Sequence, residues 1–212
     1  MSIQFSKWSV LPAAVLLLGT VVLAQDSSSS STPSTTTPKP GEVAQRKENQ
    51  QDRIANGVQS GQLTAGETSK LESKEAAING ETRADRAANG GKLTGAEKQQ
   101  INQQQNKLSN QIYNDKHNAN TAHYGNNQVG QRRENQQDRI ANGIKSGQLT
   151  AGETAKLENQ QHGINQQVKA DRAANGGKLT QGEKQQVNKE QNAASKNIYN
   201  KKHNANTQGT KK

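Results

Sequence analysis

Ala55-Asn56-Gly57, resumed four residues later by Gly61-Gln62-Leu63-Thr64-Ala65-Gly66-Glu67, is the stretch whose reading decides the fold. Three echoes follow: Ala88-Asn89-Gly90-Gly91-Lys92-Leu93-Thr94-Gly95-Ala96-Glu97, Ala141-Asn142-Gly143 with Leu149-Thr150-Ala151-Gly152-Glu153, and Ala174-Asn175-Gly176 with Leu179-Thr180-Gln181-Gly182-Glu183. Each reads as one helix stopping and the next one starting. Asn-Gly predicts a C-terminal cap at Gly57, Gly90, Gly143 and Gly176, because glycine takes the left-handed conformation without steric cost. Thr-x-x-Glu predicts a capping box at Thr64/Glu67, Thr94/Glu97, Thr150/Glu153 and Thr180/Glu183. In such a box the Thr oxygen accepts from the backbone N–H three residues on, and the Glu carboxylate accepts from the Thr N–H.

Around these turns the sequence is duplicated. Residues 45–121 and 131–207 align at an offset of 86, and the segment 45–56 recurs with one change, Lys47 to Arg133. A weaker half-repeat lies inside each copy, where Asp52-Arg53-Ile54-Ala55-Asn56-Gly57 returns as Asp85-Arg86-Ala87-Ala88-Asn89-Gly90. A duplication within a duplication demands a periodic architecture. The expected fold is all-α: two tandem three-helix units, with helices over 45–56, 65–89 and 95–119, then 131–142, 151–175 and 181–205. Leu71 and Ile78, and Leu157, Ile164 and Val168, fall at helical spacing on the second helices. Ile101, Leu108 and Ile112, and Val187, Ala194 and Ile198, make the narrow apolar stripe of the third. Gly80 and Gly163 sit inside the second helices at non-equivalent positions and weaken them by about 1 kcal/mol each.

The flanks are of another kind. Residues 1–24 read as a secretory signal peptide: Lys7, an apolar run from Val10 to Leu23, and Val22-Leu23-Ala24 before a cut at Gln25. The run contains Pro12 and is shorter than the roughly 20 residues a bilayer span needs. An exported protein follows, periplasmic or secreted, with no membrane span after cleavage. Residues 25–44 are a Ser/Thr/Pro-rich linker, 122–130 a second linker and 208–212 a basic tail.

Composition narrows the chemistry. Mean hydropathy is −1.11, and without the leader 27 basic residues face 18 acidic ones. There is no cysteine, which excludes disulfides, thiolate metal sites and a Cys nucleophile. Ten large apolar residues in the first unit, Tyr113 counted among them, are few for a unit of this length. The expected object is elongated, helix-rich and dynamic, tightening when two units or two chains pack, so self-association fits the reading. So little apolar material makes a dry catalytic pocket hard to build, and the chain reads as no enzyme. His117 and His203 fall four residues after Tyr113 and Tyr199, near helix C-termini, where a cation complements the dipole. Basic and acidic residues are interleaved and stacking aromatics are missing, which argues against a specific nucleic-acid site. The carboxylates read mostly as cap or surface residues.

Calcium is the one cofactor the turns suggest. Twelve residues ending at Glu67 place Asn56 first, Ser60 fifth, Gly61 sixth and Glu67 twelfth, and Asn142, Ser146 and Glu153 repeat the pattern. The spacing resembles an EF-hand loop. The departures are larger: the first ligand position is a neutral Asn, the third is Val58 or Ile144, and one carboxylate serves each loop. A helix–turn–helix with a capping Glu, a degenerate EF-hand-like turn, accounts for the same residues.

Asp-Arg-Ile-Ala-Asn-Gly with Ser-Gly-Gln-Leu-Thr-Ala-Gly-Glu (52–67 and 138–153) and Asp-Arg-Ala-Ala-Asn-Gly-Gly-Lys-Leu-Thr (85–94 and 171–180) resemble the tandem helical repeats of a group of uncharacterised exported bacterial proteins. The resemblance implies export and a repeat fold, and no activity. Three functions fit the sequence. The first is a non-catalytic exported repeat protein with an interaction or structural role in the cell envelope, its partner a protein or an anionic envelope polymer. The second is a hydrophilin-like protectant, suggested by low hydropathy and abundant Gly, Gln and Asn. The third is a weak calcium-binding module.

Overall fold

The computed structural model describes residues 41–208, all helix and turn, with no strand among them. The expected signal peptide (1–24), residues 25–40 of the expected first linker and residues 209–212 lie outside the described residues. Six helices follow one another: α1 (Glu42–Gln59), α2 (Ala65–Ala88), α3 (Gly95–Lys116), α4 (Gln128–Lys145), α5 (Ala151–Ala174) and α6 (Gln181–Lys202).

All four capping boxes form, and each starts its helix at the predicted residue. Thr64, Thr94, Thr150 and Thr180 have extended backbone and accept from the N–H of Glu67, Glu97, Glu153 and Glu183, whose carboxylates accept in return. The stop signals divide. Gly90 and Gly176 take positive φ, 61° and 60°, and the Gly91 and Gly177 N–H groups reach back to Arg86 and Arg172 carbonyls at 2.7 Å. That is a Schellman closure.

Gly57 and Gly143 are not caps, and here the expectation is corrected. α1 and α4 run on for two residues beyond them, and Ser60 and Ser146 close the helices. The left-handed residues are Gly61 and Gly147, each at φ 71°. Packing accounts for the glycines inside the helix. A Cβ on Gly57 would sit 2.6 Å from Leu63 Cδ1, and one on Gly143 would sit 2.6 Å from Leu149 Cδ1. Each loop folds its fully buried leucine back over the bare helix backbone, and the Leu63 N–H donates to the Gly57 carbonyl at 2.9 Å.

Other boundaries move too. α1 begins inside the stretch assigned to the first linker, and α4 takes in Gln128, Val129 and Gly130 from the second. Gln208, assigned to the basic tail, is fixed at both ends: its N–H donates to the Gly147 carbonyl at 3.0 Å and its amide to the Leu149 carbonyl at 2.6 Å. α3 and α6 end three residues earlier than expected, at Lys116 and Lys202.

Within each unit the third helix packs against the first two, α3 on α1 and α2, α6 on α4 and α5. The units do not string out as an elongated chain. They lie side by side, α2 along α5 and α1 along α4. The contacts are reciprocal. Gly66 lies under His162, and its equivalent Gly152 lies under Ala76, the equivalent of His162. Ser69 Oγ donates to the carbonyl of its own equivalent, Ala155, at 2.9 Å. Reciprocal pairing of this kind is an approximate two-fold axis relating the units, as in an isologous dimer joined on one chain.

This pairing supplies the core a single unit lacks. Ile54, Val58, Leu63 and Leu71 of the first unit join Ile140, Ile144, Leu149 and Leu157 of the second in one continuous cluster. A smaller cluster of Val129, Ile164, Val168 and Val187 fills the far end of the second unit. Burying such a side chain is worth roughly 1.5–3 kcal/mol. Tyr113, counted toward the core, is instead 58% exposed, and Tyr199 matches it. Their rings stack on His117 and His203, the C-cap residues of α3 and α6.

Candidate functional site

The residues aligned with an EF-hand loop do not converge. Glu67 Oε2 accepts from the Thr64 N–H at 3.0 Å and the Thr64 hydroxyl at 2.7 Å, and Oε1 accepts from Asn118 and Asn120 at 2.8 and 3.1 Å. Burial would raise the pKa of this carboxyl, but these hydrogen bonds outweigh it and hold the group below its ordinary value. Glu153 repeats the arrangement with Thr150, Asn204 and Asn206 and adds an ion pair with Lys201 at 3.8 Å. Ser60 and Ser146 donate within their own turns, to the Gly57 and Gly143 carbonyls and to Gln62 and Gln148. Asn56 and Asn142 are exposed on the last turns of α1 and α4, and Lys145 reaches Asn56 Oδ1 at 3.4 Å. Val58 and Ile144 at the third position are buried. Each Glu is a stitch: it caps the second helix and ties down the segment after the third.

His117 and His203 also act inside the fold. Each donates from Nδ1 to the carbonyl oxygen four residues back, Tyr113 or Tyr199, at 2.7 Å.

Three carboxyls are exceptions to the reading of most Glu and Asp as cap or surface residues. Glu72, Glu75 and Glu158 are fully buried on α2 and α5. Glu72 and Glu158 each accept at 2.9 Å from a glutamine of their own unit, Gln51 and Gln137. Burial drives all three pKa values up. Glu158 reaches about 8 despite its hydrogen bond, and Glu75 about 7 against the pull of Lys47. Glu72 stands well above the ordinary range, with burial the largest cause and the charges of Glu75 and Glu158 adding to it. At neutral pH this seam holds protons that exposed carboxyls would have lost.

Among the open features of the described residues are two clefts that the duplication relates. The larger, about 690 Å³, lies between the N-terminus of α2, the segment 119–124, and α4 with α5. Arg133, Lys169 and Arg172 line it with His123 and His162, and no carboxylate is among its lining residues. The smaller, about 400 Å³, puts Lys47, Arg83 and Arg86, the equivalents of those three cations, against the N-terminus of α5. The two differ at that lysine. Lys47 donates to the Gln208 carbonyl at 2.8 Å, and Glu48 joins the lining. Arg133 instead lies over the Tyr124 ring, its guanidinium carbon 5.4 Å from the centroid. Gly130 makes room for the Tyr124 strand of chain, since a Cβ there would fall 1.8 Å from the Tyr124 carbonyl oxygen.

The interleaving of charges along the sequence hid this set. Arg133 stands on α4, Lys169 and Arg172 on α5, and only the packing of the units brings them beside the start of α2. The one available signal was the Lys47 to Arg133 exchange, the single change in the twelve-residue copy. Among the described residues no helix is long and apolar enough to cross a membrane, and no group of three His, Cys, Asp or Glu residues is placed to hold a metal. No family model, no curated protein and no solved structure matches the chain.

Proposed function

We propose that this chain is a non-catalytic, exported binding protein that works in the cell envelope through the surface its two units build together. One observation carries the reading: the same trio of cations recurs in both units and faces a cleft that exists only where one unit meets the other. The recurring residues that could do chemistry are spent on the fold. Glu67 and Glu153 have their carboxylate oxygens, and His117 and His203 their Nδ1 atoms, turned onto neighbouring turns. The leader and the Ser/Thr/Pro-rich linker support delivery beyond the inner membrane on a tether.

A packed core spanning both units favours this reading over that of a protectant that stays unfolded in water. The test is a circular-dichroism melt of the mature chain in dilute buffer. A single cooperative loss of helix is expected. A coil that gains helix only on drying would overturn the reading in favour of the protectant.

A further inference from the structure

We propose that the larger cleft binds an anionic saccharide of one or two rings, held by Arg133, Lys169 and Arg172. The inference rests on the reading of the protein as a binding module and names its ligand class.

The charge arrangement comes first. Among the described residues, none of the three cations has an ion pair with a carboxylate, and no Asp or Glu lines the cleft. Arg133 and Arg172 are near enough for their charges to oppose each other. Burial is the largest cause holding the Arg133 guanidinium below its ordinary pKa, and Arg172 adds to it against the pull of Tyr124. Like charges gathered in a concavity focus positive potential there. The N-terminus of α2 opens on the same space at Thr64 and Ala65, but its dipole is already answered by the capping carboxylate of Glu67, so the three side-chain cations carry the attraction. A carboxylate or phosphate group relieves all of this at once, and guanidinium groups bind such groups through charge-assisted hydrogen bonds.

The polar groups around the charges say more. Arg133 Nε is shielded from solvent and finds no acceptor in the protein. Asn165 Oδ1 and Gln137 Oε1, on residues lining the same cleft, are shielded and find no donor. Leaving such groups unmade costs about 1–3 kcal/mol each. The exposed polar side chains of Asn120, Thr121 and Gln166 line the same cleft, so the ligand that suits it carries acidic oxygens and hydroxyl groups together, as a sugar acid or sugar phosphate does. A fatty acid lacks the hydroxyl groups. A single nucleic-acid strand wants open aromatic faces, and the Tyr124 ring is already covered by Arg133. The volume, about 690 Å³, falls within the range of small-ligand sites.

The twin cleft serves as an internal control. Its volume is little more than half as large, its Lys47 is engaged by the Gln208 carbonyl, and Glu48 brings negative charge to the lining. The ligand is therefore assigned to one cleft and not to both.

Calorimetry on the mature chain tests this with digalacturonate as the probe, neutral galactobiose and inorganic phosphate as comparators. Digalacturonate should bind at one site and weaken as salt is added. Lys169→Gln and Arg172→Gln should each weaken it about tenfold, the loss of one charge-assisted contact, while Arg86→Gln in the twin cleft leaves it unchanged. Four results would overturn the proposal: no heat from digalacturonate, equal binding of galactobiose, phosphate binding as tightly as digalacturonate, or equal losses from Arg172→Gln and Arg86→Gln. A cooperative melt alongside any of these rejects the ligand and keeps the binding module. A melt without cooperativity rejects both.

Discussion

Glu72 and Glu158 hold the same position in the two units, 86 residues apart, and both are fully buried in the seam where α2 packs along α5. Each keeps one glutamine amide at 2.9 Å, so each carboxyl has a single hydrogen bond to offset the loss of its hydration. Such a group is better tolerated neutral.

Stability should therefore fall as pH rises. A carboxyl whose pKa is higher in the folded state than in the unfolded chain binds its proton more tightly when folded. Its contribution is complete below the unfolded value, about 4.5, and is lost as pH climbs through the folded value, about 7 for Glu75 and about 8 for Glu158. The loss is on the order of a few kcal/mol per carboxyl. Urea unfolding at pH 5 and pH 9 checks it, with a lower midpoint expected at pH 9 and a flatter profile in the Glu75→Gln, Glu158→Gln double variant. Below pH 5 the opposite slope begins, because the caps Glu67 and Glu153 have lowered pKa values and lose their contribution on protonation.

Glycines in this fold separate into two kinds that substitution by alanine should tell apart. At Gly57 and Gly143 the new methyl would meet a leucine at 2.6 Å, and overpacking of this sort costs typically about 1–3 kcal/mol. At Gly80 and Gly163 nothing lies within 4 Å of the new atom, and alanine should stabilise by about 1 kcal/mol through helix propensity. Chemical denaturation of the four single variants gives the sign directly.

The stitching carboxylates predict a response to mutation and none to calcium. Thr64→Ala and Thr150→Ala should each destabilise by about 1 kcal/mol, the usual cost of a lost N-cap. Glu67→Ala should cost more, since Asn118 and Asn120 lose their acceptor as well. Because all the oxygens of Glu67 and Glu153 already accept from protein groups, millimolar calcium should leave the thermal midpoint where it is. An upward shift on calcium addition would return the turns to the cation-binding reading.

Much of this fold could be read from residues alone. Thr-x-x-Glu is a local signal, its capping hydrogen bonds closed within four residues, so the starts of α2, α3, α5 and α6 were legible to the residue. Asn-Gly was legible only where nothing else claimed the glycine. At Gly90 the backbone needs it, whereas at Gly57 a leucine six residues on needs the space, a contact that no local rule encodes. The buried glutamates were hidden because Glu72 and Glu75 look like the outer face of a hydrophilic helix until a second copy of that helix covers them. The basic cleft was hidden for the same reason. Its cations are scattered along the sequence and meet only through the pairing of the units.

That pairing is the central claim, and the cysteine-free sequence allows a direct measurement of it. A Cβ at position 152 would lie 3.9 Å from that of Ala76, inside the range of about 3.5–4.5 Å that a disulfide spans. The double variant Ala76→Cys, Gly152→Cys should oxidise within one chain, giving a monomer whose tryptic fragments from α2 and α5 remain linked until reduced. Free thiols, or disulfides only between chains, would contradict the packing of α2 along α5.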